Sequence, residues 1–280
     1  MRHLFEAFYL KKPAIPLVIA RGGLASKYQE NTYSALKAAL DVKGCAGICL
    51  SVALTRDGVP VLSADEDLFR LTNEFNSLVN MDFAQLERLK ISTTISSGEI
   101  TRSFQQSEKF LSLEQALFEL AGLDFLVFLN AGTHQHKPRN QMAAIAAAKL
   151  VQQQKMQQQA VIFSGSIGTL KYLKQHFDQV ATGFAADMAP VAPQARWWLA
   201  RHWLKSPFLK RPATQPGKPT TGGQQWFGLT DLPPVATAMP ATDSEKLPAT
   251  FKTRAHWLET EEPDKLLELQ QRFTSPVAGG

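Results

Sequence analysis

The sequence predicts an α/β fold in which parallel strands alternate with helices and close into a barrel. Three observations lead there. Apolar runs recur at regular intervals with helical segments between them, which is the rhythm of βα units. Two of the runs, Phe-Leu-Val-Phe-Leu at 125–129 and Ala-Val-Ile-Phe at 160–163, are apolar on both faces, as strands covered on both sides must be. The chain has 280 residues and 44% hydrophobic content, enough for a single barrel domain spanning 1–280, since such barrels run to about 250 residues.

Each element has a local reason. Leu17–Ala20 is a short apolar strand that ends at Arg21-Gly22-Gly23, with the glycines supplying a tight turn. Asn31–Leu40 reads as a helix: Asn31 and Thr32 cap it, and Leu36 and Leu40 share a face at i, i+4. Ala46–Leu54 is the second strand, and Val59–Leu62 continues after the Asp57-Gly58 turn. Residues 66–110 are mixed and polar and read as an insertion off the barrel. Ser112 caps a helix that runs to Leu120. Phe125–Leu129 is the third strand. Asn140–Gln159 is a helix whose end, QQQKMQQQ, is expected at the surface. Ala160–Ser164, Gly168–Phe177 and Val180–Ala185 continue the alternation as strand, helix and strand. Residues 190–250 are expected to form a long irregular insertion, with Pro, Gly and Thr abundant over 206–250. Thr253–Leu258 and Pro263–Phe273 resume as strand and helix, with Thr274–Gly280 as a curtailed last strand.

Composition narrows the function classes. Net charge is +5, and the basic excess is local. Between Met188 and Thr230 there is no acidic residue, while Arg196, Arg201, Lys205, Lys210, Arg211 and Lys218 fall there. Within that stretch Trp197, Trp198 and Trp203 interleave with Arg201 and Lys205. This is the composition of a helix lying in an anionic membrane surface, or of one packing its tryptophans on the barrel. No nucleic-acid-binding module is recognisable. Two cysteines, Cys45 and Cys49, form no disulfide framework. No run approaches the ~20 apolar residues of a membrane span, so the expected location is cytoplasmic, peripheral to a membrane if residues 195–211 touch lipid.

The stretch from Val18 to Asn73 carries the most specific signal. It reads Arg21-Gly22, Glu30-Asn31-Thr32, Gly47-Ile48-Cys49-Leu50-Ser51-Val52, Asp57-Gly58-Val59-Pro60-Val61 and Ala64-Asp65 in turn, followed by Thr72. In this order the segments resemble the N-terminal signature of the glycerophosphodiester phosphodiesterase family, whose members typically read H-R-G, E-N-T, G-I-E-L-D-V, D-G-x-P-V and H-D-x-x-L-x-R-T-T. The resemblance implies a TIM-type (β/α)8 barrel with active residues at the ends of its strands. It also implies phosphodiester hydrolysis, with two histidines as acid and base and calcium or magnesium held by carboxylates. At the histidine positions this chain has Ala20 and Ala64. At the carboxylate positions it has Cys49, Ser51 and, on the third strand, Phe128, with Asn130 in place of a phosphate-contacting lysine.

The resemblance therefore implies a degenerate site that needs no cofactor, in a protein that binds a phosphate or a lipid headgroup. Arg21 and Glu30 are the retained candidates for ligand binding, with a structural Arg21–Glu30 pair as the other reading. An active enzyme with a site rebuilt around Glu30, Asp65, His134 and His136 is the alternative. The acidic run Asp65-Glu66-Asp67 is expected to be a solvated loop, and Cys49 a small buried apolar residue.

Overall fold

The computed structural model describes residues 16–97, 100–185, 209–210, 237–238 and 257–274. Among the described residues, eight parallel strands make the central sheet: β1 (Leu17–Arg21), β2 (Cys45–Leu54), β8 (Leu126–Asn130), β9 (Ala160–Ser164), β10 (Ala181–Ala185), β11 (Leu209–Lys210), β12 (Thr237–Ala238) and β13 (Trp257–Thr260). Their spatial order is β11-β10-β9-β8-β2-β1-β13-β12. The last strands thus return to the first, through the pairing of Leu17 with Trp257 and of Ala20 with Thr260. This is the circular order of a TIM-type barrel, in which each strand lies beside its predecessor in the chain. Among the described residues no pairing joins β11 to β12.

Helices α1 (Tyr33–Leu40), α4 (Leu113–Leu120), α5 (Lys137–Gln153), α6 (Ile167–His176) and α7 (Pro263–Thr274) alternate with these strands, and the short α2 (Phe69–Thr72) and α3 (Phe83–Leu86) lie in an insertion. Thr32 caps α1, its hydroxyl accepting from the Ala35 amide at 3.4 Å. Ser112 caps α4 in a reciprocal box with Gln115. The outer faces of β2, β8 and β9 (Ile48, Leu50, Val52, Val127, Leu129, Ile162) are buried against Leu36 of α1, Leu117 of α4 and the alanines of α5. Small side chains on α5, among them Ala144 and Ala148, let that helix lie close to the sheet.

The insertion between β3 and α4 has more internal packing than its polar composition suggests. β3 (Pro60–Leu62) turns back antiparallel on β2. Short elements follow: α2 (Phe69–Thr72), a 3-10 turn, α3 (Phe83–Leu86), and two small ribbons pairing β4 (Lys90–Ile91) with β7 (Glu108–Lys109) and β5 (Thr94–Ser97) with β6 (Ile100–Ser103). Leu68, Leu71, Leu78, Leu86, Ile91 and Phe110 form a second buried cluster against Ala53 and Val61.

Two expectations about ends change. Helix α5 begins earlier than predicted, with Pro138 in its first turn, and stops at Gln153, before Lys155 at φ 57°. The QQQKMQQQ stretch is not wholly superficial: Met156 and Gln159 are buried. The Gln159 amide donates to the carbonyls of Leu120 and Phe125 at 2.7 and 2.8 Å, closing the bottom of β8. Thr274 ends a helix rather than opening a strand. Residues 190–250 lie outside the described residues apart from β11 and β12.

Candidate active site

Strand alternation decides which residues face the barrel interior. On β2 the residues opposite the helix-facing Ile48, Leu50 and Val52 are Cys49 and Ser51. On β8 they are Phe128 and Asn130. On β1, Ala20 is wholly buried in the outer cluster with Leu36 and Ala39. Its side chain therefore faces the helices and is not part of the interior site that the resemblance placed around it. The inward residue at the end of β1 is Arg21, opposite Cys49 in the register. Ala64, in the loop after β3, is exposed.

The loops over the strand ends are cross-tied. Gly22 and Gly23 adopt positive φ. A Cβ on Gly23 would meet the Ala35 carbonyl at 2.5 Å, so the turn must pass against α1 without a side chain. The Gly22 amide donates to the Cys49 carbonyl at 2.7 Å, and Asn31, itself at φ 60°, donates back to Gly22 at 2.8 Å. The Asn31 side-chain oxygen takes the Ser51 amide at 3.1 Å. The Ser51 carbonyl accepts from the Ser63 amide at 3.0 Å, and the Ser63 carbonyl from the Thr133 hydroxyl at 2.9 Å. Loops following β1, β3 and β8 are thus fastened to the same strand ends.

The charges are arranged differently from expectation. Glu30 does not pair with Arg21. It is held by Arg70, whose guanidinium also donates to Asp65 at 2.6 Å through Nε. Burial draws the Arg70 pKa down, but the two carboxylates more than offset it and hold the guanidinium above its ordinary value. Arg21 is exposed and has no salt-bridge partner among the described residues. Arg70 is the residue that sequence reasoning passed over, although it occupies the arginine position of the H-D-x-x-L-x-R-T-T segment.

The acidic run after Ala64 is not simply a solvated loop. Asp65 serves Arg70, while the Glu66 carboxylate accepts from His134 Nδ1 at 2.7 Å and from the Gln135 amide at 3.1 Å. Asp67 alone remains exposed, accepting from the Phe69 amide at 2.8 Å. His134 is buried, and its Nε2 accepts the Leu54 amide at 2.7 Å. Both ring nitrogens are therefore engaged within the protein. Desolvation lowers its pKa and Arg139 adds to that, against the raising pull of Glu66. His136 is exposed, at the N-cap of α5. The pair does not converge, and the site rebuilt around Glu30, Asp65 and the two histidines does not form in this arrangement.

Beneath the strand ends the interior is aromatic. Phe128 packs edge-on against Phe163 at 5.5 Å and Trp257 at 5.2 Å between centroids, all three buried. Glu259, two residues past Trp257 and wholly buried, accepts from its indole N–H at 3.4 Å. Sequence reasoning missed this carboxylate, which the i, i+2 spacing from Trp257 places on the inward face. Cys49 is buried beside the rings, with its sulfur 3.2 Å from the Asn130 side-chain nitrogen. A thiol, a hydroxyl and a phenyl ring do not fit a hard divalent cation, which demands oxygen ligands, mostly carboxylate. Among the described residues no three acidic, histidine or cysteine side chains are grouped to hold a metal.

The model of the glycerophosphoryl diester phosphodiesterase family matches residues 22–214 of the chain. This chain belongs to that family. Human glycerophosphodiester phosphodiesterase 1 is 29% identical over 134 residues, covering 47% of this chain and 39% of that protein. The bovine protein of the same name is 29% identical over 119 residues, or 42% and 34%. The chain thus spans about two-fifths or less of the length of these curated relatives. A glycerophosphoryl diester phosphodiesterase structure from Parabacteroides distasonis superposes with a TM-score of 0.68 at 13% identity, covering 98% of this chain and 92% of that one. That likeness shows the shared fold. Within the glycerophosphoryl diester phosphodiesterase frame, the strand-end positions carry Arg21, Cys49, Ser51, Phe128 and Asn130. Trp197, Trp198, Arg201, Trp203 and Lys205 lie outside the described residues. No described helix is long and apolar enough to cross a membrane.

Proposed function

We propose that this family member binds a phosphate or lipid-headgroup ligand at the barrel mouth without carrying out metal-dependent diester hydrolysis. One observation carries the reading. The inward-facing strand ends offer an open guanidinium at Arg21 and neutral polar groups at Ser51 and Asn130, above an aromatic floor where the family frame expects carboxylates. Arg21 presents a planar fork suited to two oxygens of a phosphate. Arg70 bridges Glu30 and Asp65 and offsets one of their two charges, which weakens their opposition to an anion at Arg21. No group able to move a proton stands at Ala64, and losing one acid or base costs roughly 10²–10⁴ in rate.

The test uses the purified 280-residue chain and glycerophosphocholine. The expected result is saturable binding that Arg21→Ala reduces tenfold or more, with no product released in calcium or magnesium. Divalent-dependent hydrolysis above the no-protein control would overturn the proposal.

A further inference from the structure

Among the described residues the most exposed large apolar side chain is Phe75, at 90%. Its ring stacks on that of Phe69, itself 44% exposed, with centroids 4.5 Å apart and planes 21° from parallel. A single exposed apolar side chain is ordinary on a protein surface, whereas two stacked rings make a patch. The chain that carries them is pinned. Leu68, Leu71 and Leu78 are buried in the insertion core. The Leu68 amide donates to the Asn76 carbonyl at 2.8 Å, the Leu78 amide to the Glu66 carbonyl at 2.9 Å, and the Glu74 amide to the Thr72 hydroxyl at 3.2 Å. The rings are thus in place before any partner arrives, so little ordering is lost on contact.

The patch belongs to the rim of the barrel mouth. Arg70, next to Phe69 on α2, reaches Glu30 in the loop after β1 and Asp65 in the loop after β3. Glu66 is tied to His134 in the loop after β8.

Size selects the partner. A phenylalanine side chain buries roughly 150–250 Å², so the pair offers at most about 500 Å², against about 800 Å² per partner in a stable protein interface. A lipid surface needs no matching shape. Charge then selects the lipid. From Asp67 to Ser77 the charged residues are Asp67, Arg70 and Glu74. Arg70 is committed to Glu30 and Asp65, which leaves the exposed Asp67 and Glu74 beside the rings. Anionic lipid repels these carboxylates, and zwitterionic lipid does not.

We infer that Phe69 and Phe75 form an interfacial foot that seats the rim of the barrel mouth on a zwitterionic bilayer, with the rings in the boundary between headgroups and acyl chains. The contact is weak and reversible, and salt does not screen it as it would a contact made by basic residues. The foot needs no ligand in the mouth, so the inference stands apart from anion binding at Arg21.

The experiment is co-sedimentation of the 280-residue chain with phosphatidylcholine vesicles. The expected result is partitioning that changes less than twofold between about 50 and about 500 mM salt. Phe75→Ser should reduce it about fivefold, and Phe69→Ser with Phe75→Ser about tenfold or more. Phe75 is so exposed that Phe75→Ser should keep the wild-type thermal midpoint, which separates loss of the foot from loss of the fold. No partitioning onto phosphatidylcholine by the wild type would overturn the inference, as would equal partitioning by wild type and Phe75→Ser. Binding only to vesicles containing phosphatidylserine, lost at high salt, would overturn it in favour of a basic surface such as residues 195–211. Self-association that Phe75→Ser abolishes, without vesicle binding, would overturn it in favour of a protein contact.

Discussion

His134 makes the stability of this barrel depend on pH in a direction that the geometry fixes. The Leu54 amide donates to Nε2, so that nitrogen carries no proton, and Nδ1–H donates to Glu66. The folded state holds a neutral ring in one tautomer, with Arg139 close by and a pKa below its ordinary 6.5. The unfolded chain takes up the proton first as pH falls. Stability from this group is therefore complete above about 6.5 and declines below it, by at most about 1.4 kcal/mol per pH unit, until the folded ring also protonates.

Replacing the ring with His134→Leu leaves the buried Leu54 amide without its acceptor and takes one of two donors from Glu66 Oε2, at a cost of roughly 2–4 kcal/mol near neutral pH. Each kcal/mol corresponds to about 2–4 °C in melting temperature for a domain of this size class. Urea unfolding followed by tryptophan fluorescence at pH 7.5 and 5.5 gives the decisive comparison. The deficit of the variant should shrink at the lower pH, by at most about 1.4 kcal/mol, because only the wild type has this group to lose. A deficit that stays constant or grows would refute the reasoning, as would a His134 resonance titrating at or above 6.5 in the folded protein.

Two further substitutions test the mouth. Arg70→Met leaves Glu30 and Asp65 facing one another without their shared cation and should destabilise by roughly 2–3 kcal/mol in thermal melts. Arg70→Lys, which keeps the charge but not the fork, should fall between it and wild type. Gly23→Ala forces a Cβ into the Ala35 carbonyl at positive φ and should cost roughly 3 kcal/mol or more, read as a lowered urea midpoint.

The sequence carried most of the barrel because its strands are apolar and regularly spaced. Strands β1, β2, β8, β9 and β10 fall within a residue of their predicted ends, and Thr32 and Ser112 cap the helices their chemistry suits. The site was less legible for two physical reasons. Facing direction depends on register, which a motif does not state: adjacent residues of one strand point to opposite sides, and this separates Ala20 from Arg21. Ion pairing depends on loops meeting in space, so the bridging of Glu30 and Asp65 by Arg70, 40 and five residues away in the chain, followed from no local pattern. The roles of His134 and Gln159 were likewise hidden, because a polar residue in a polar stretch gives no sign that it will be buried.

The ring cluster of Phe128, Phe163 and Trp257 also bears on which substitutions the interior can accept. A glutamate placed at position 128 would enter a space bounded by two aromatic rings, where an unpaired carboxylate is costly to ionise. Single substitutions at Cys49 or Ser51 would not relieve that. A cage of three carboxylates at positions 49, 51 and 128 would require the rings of Phe163 and Trp257 to shrink or turn as well. The aromatic floor thus ties position 128 to two other strands, so that no single substitution there admits a charge.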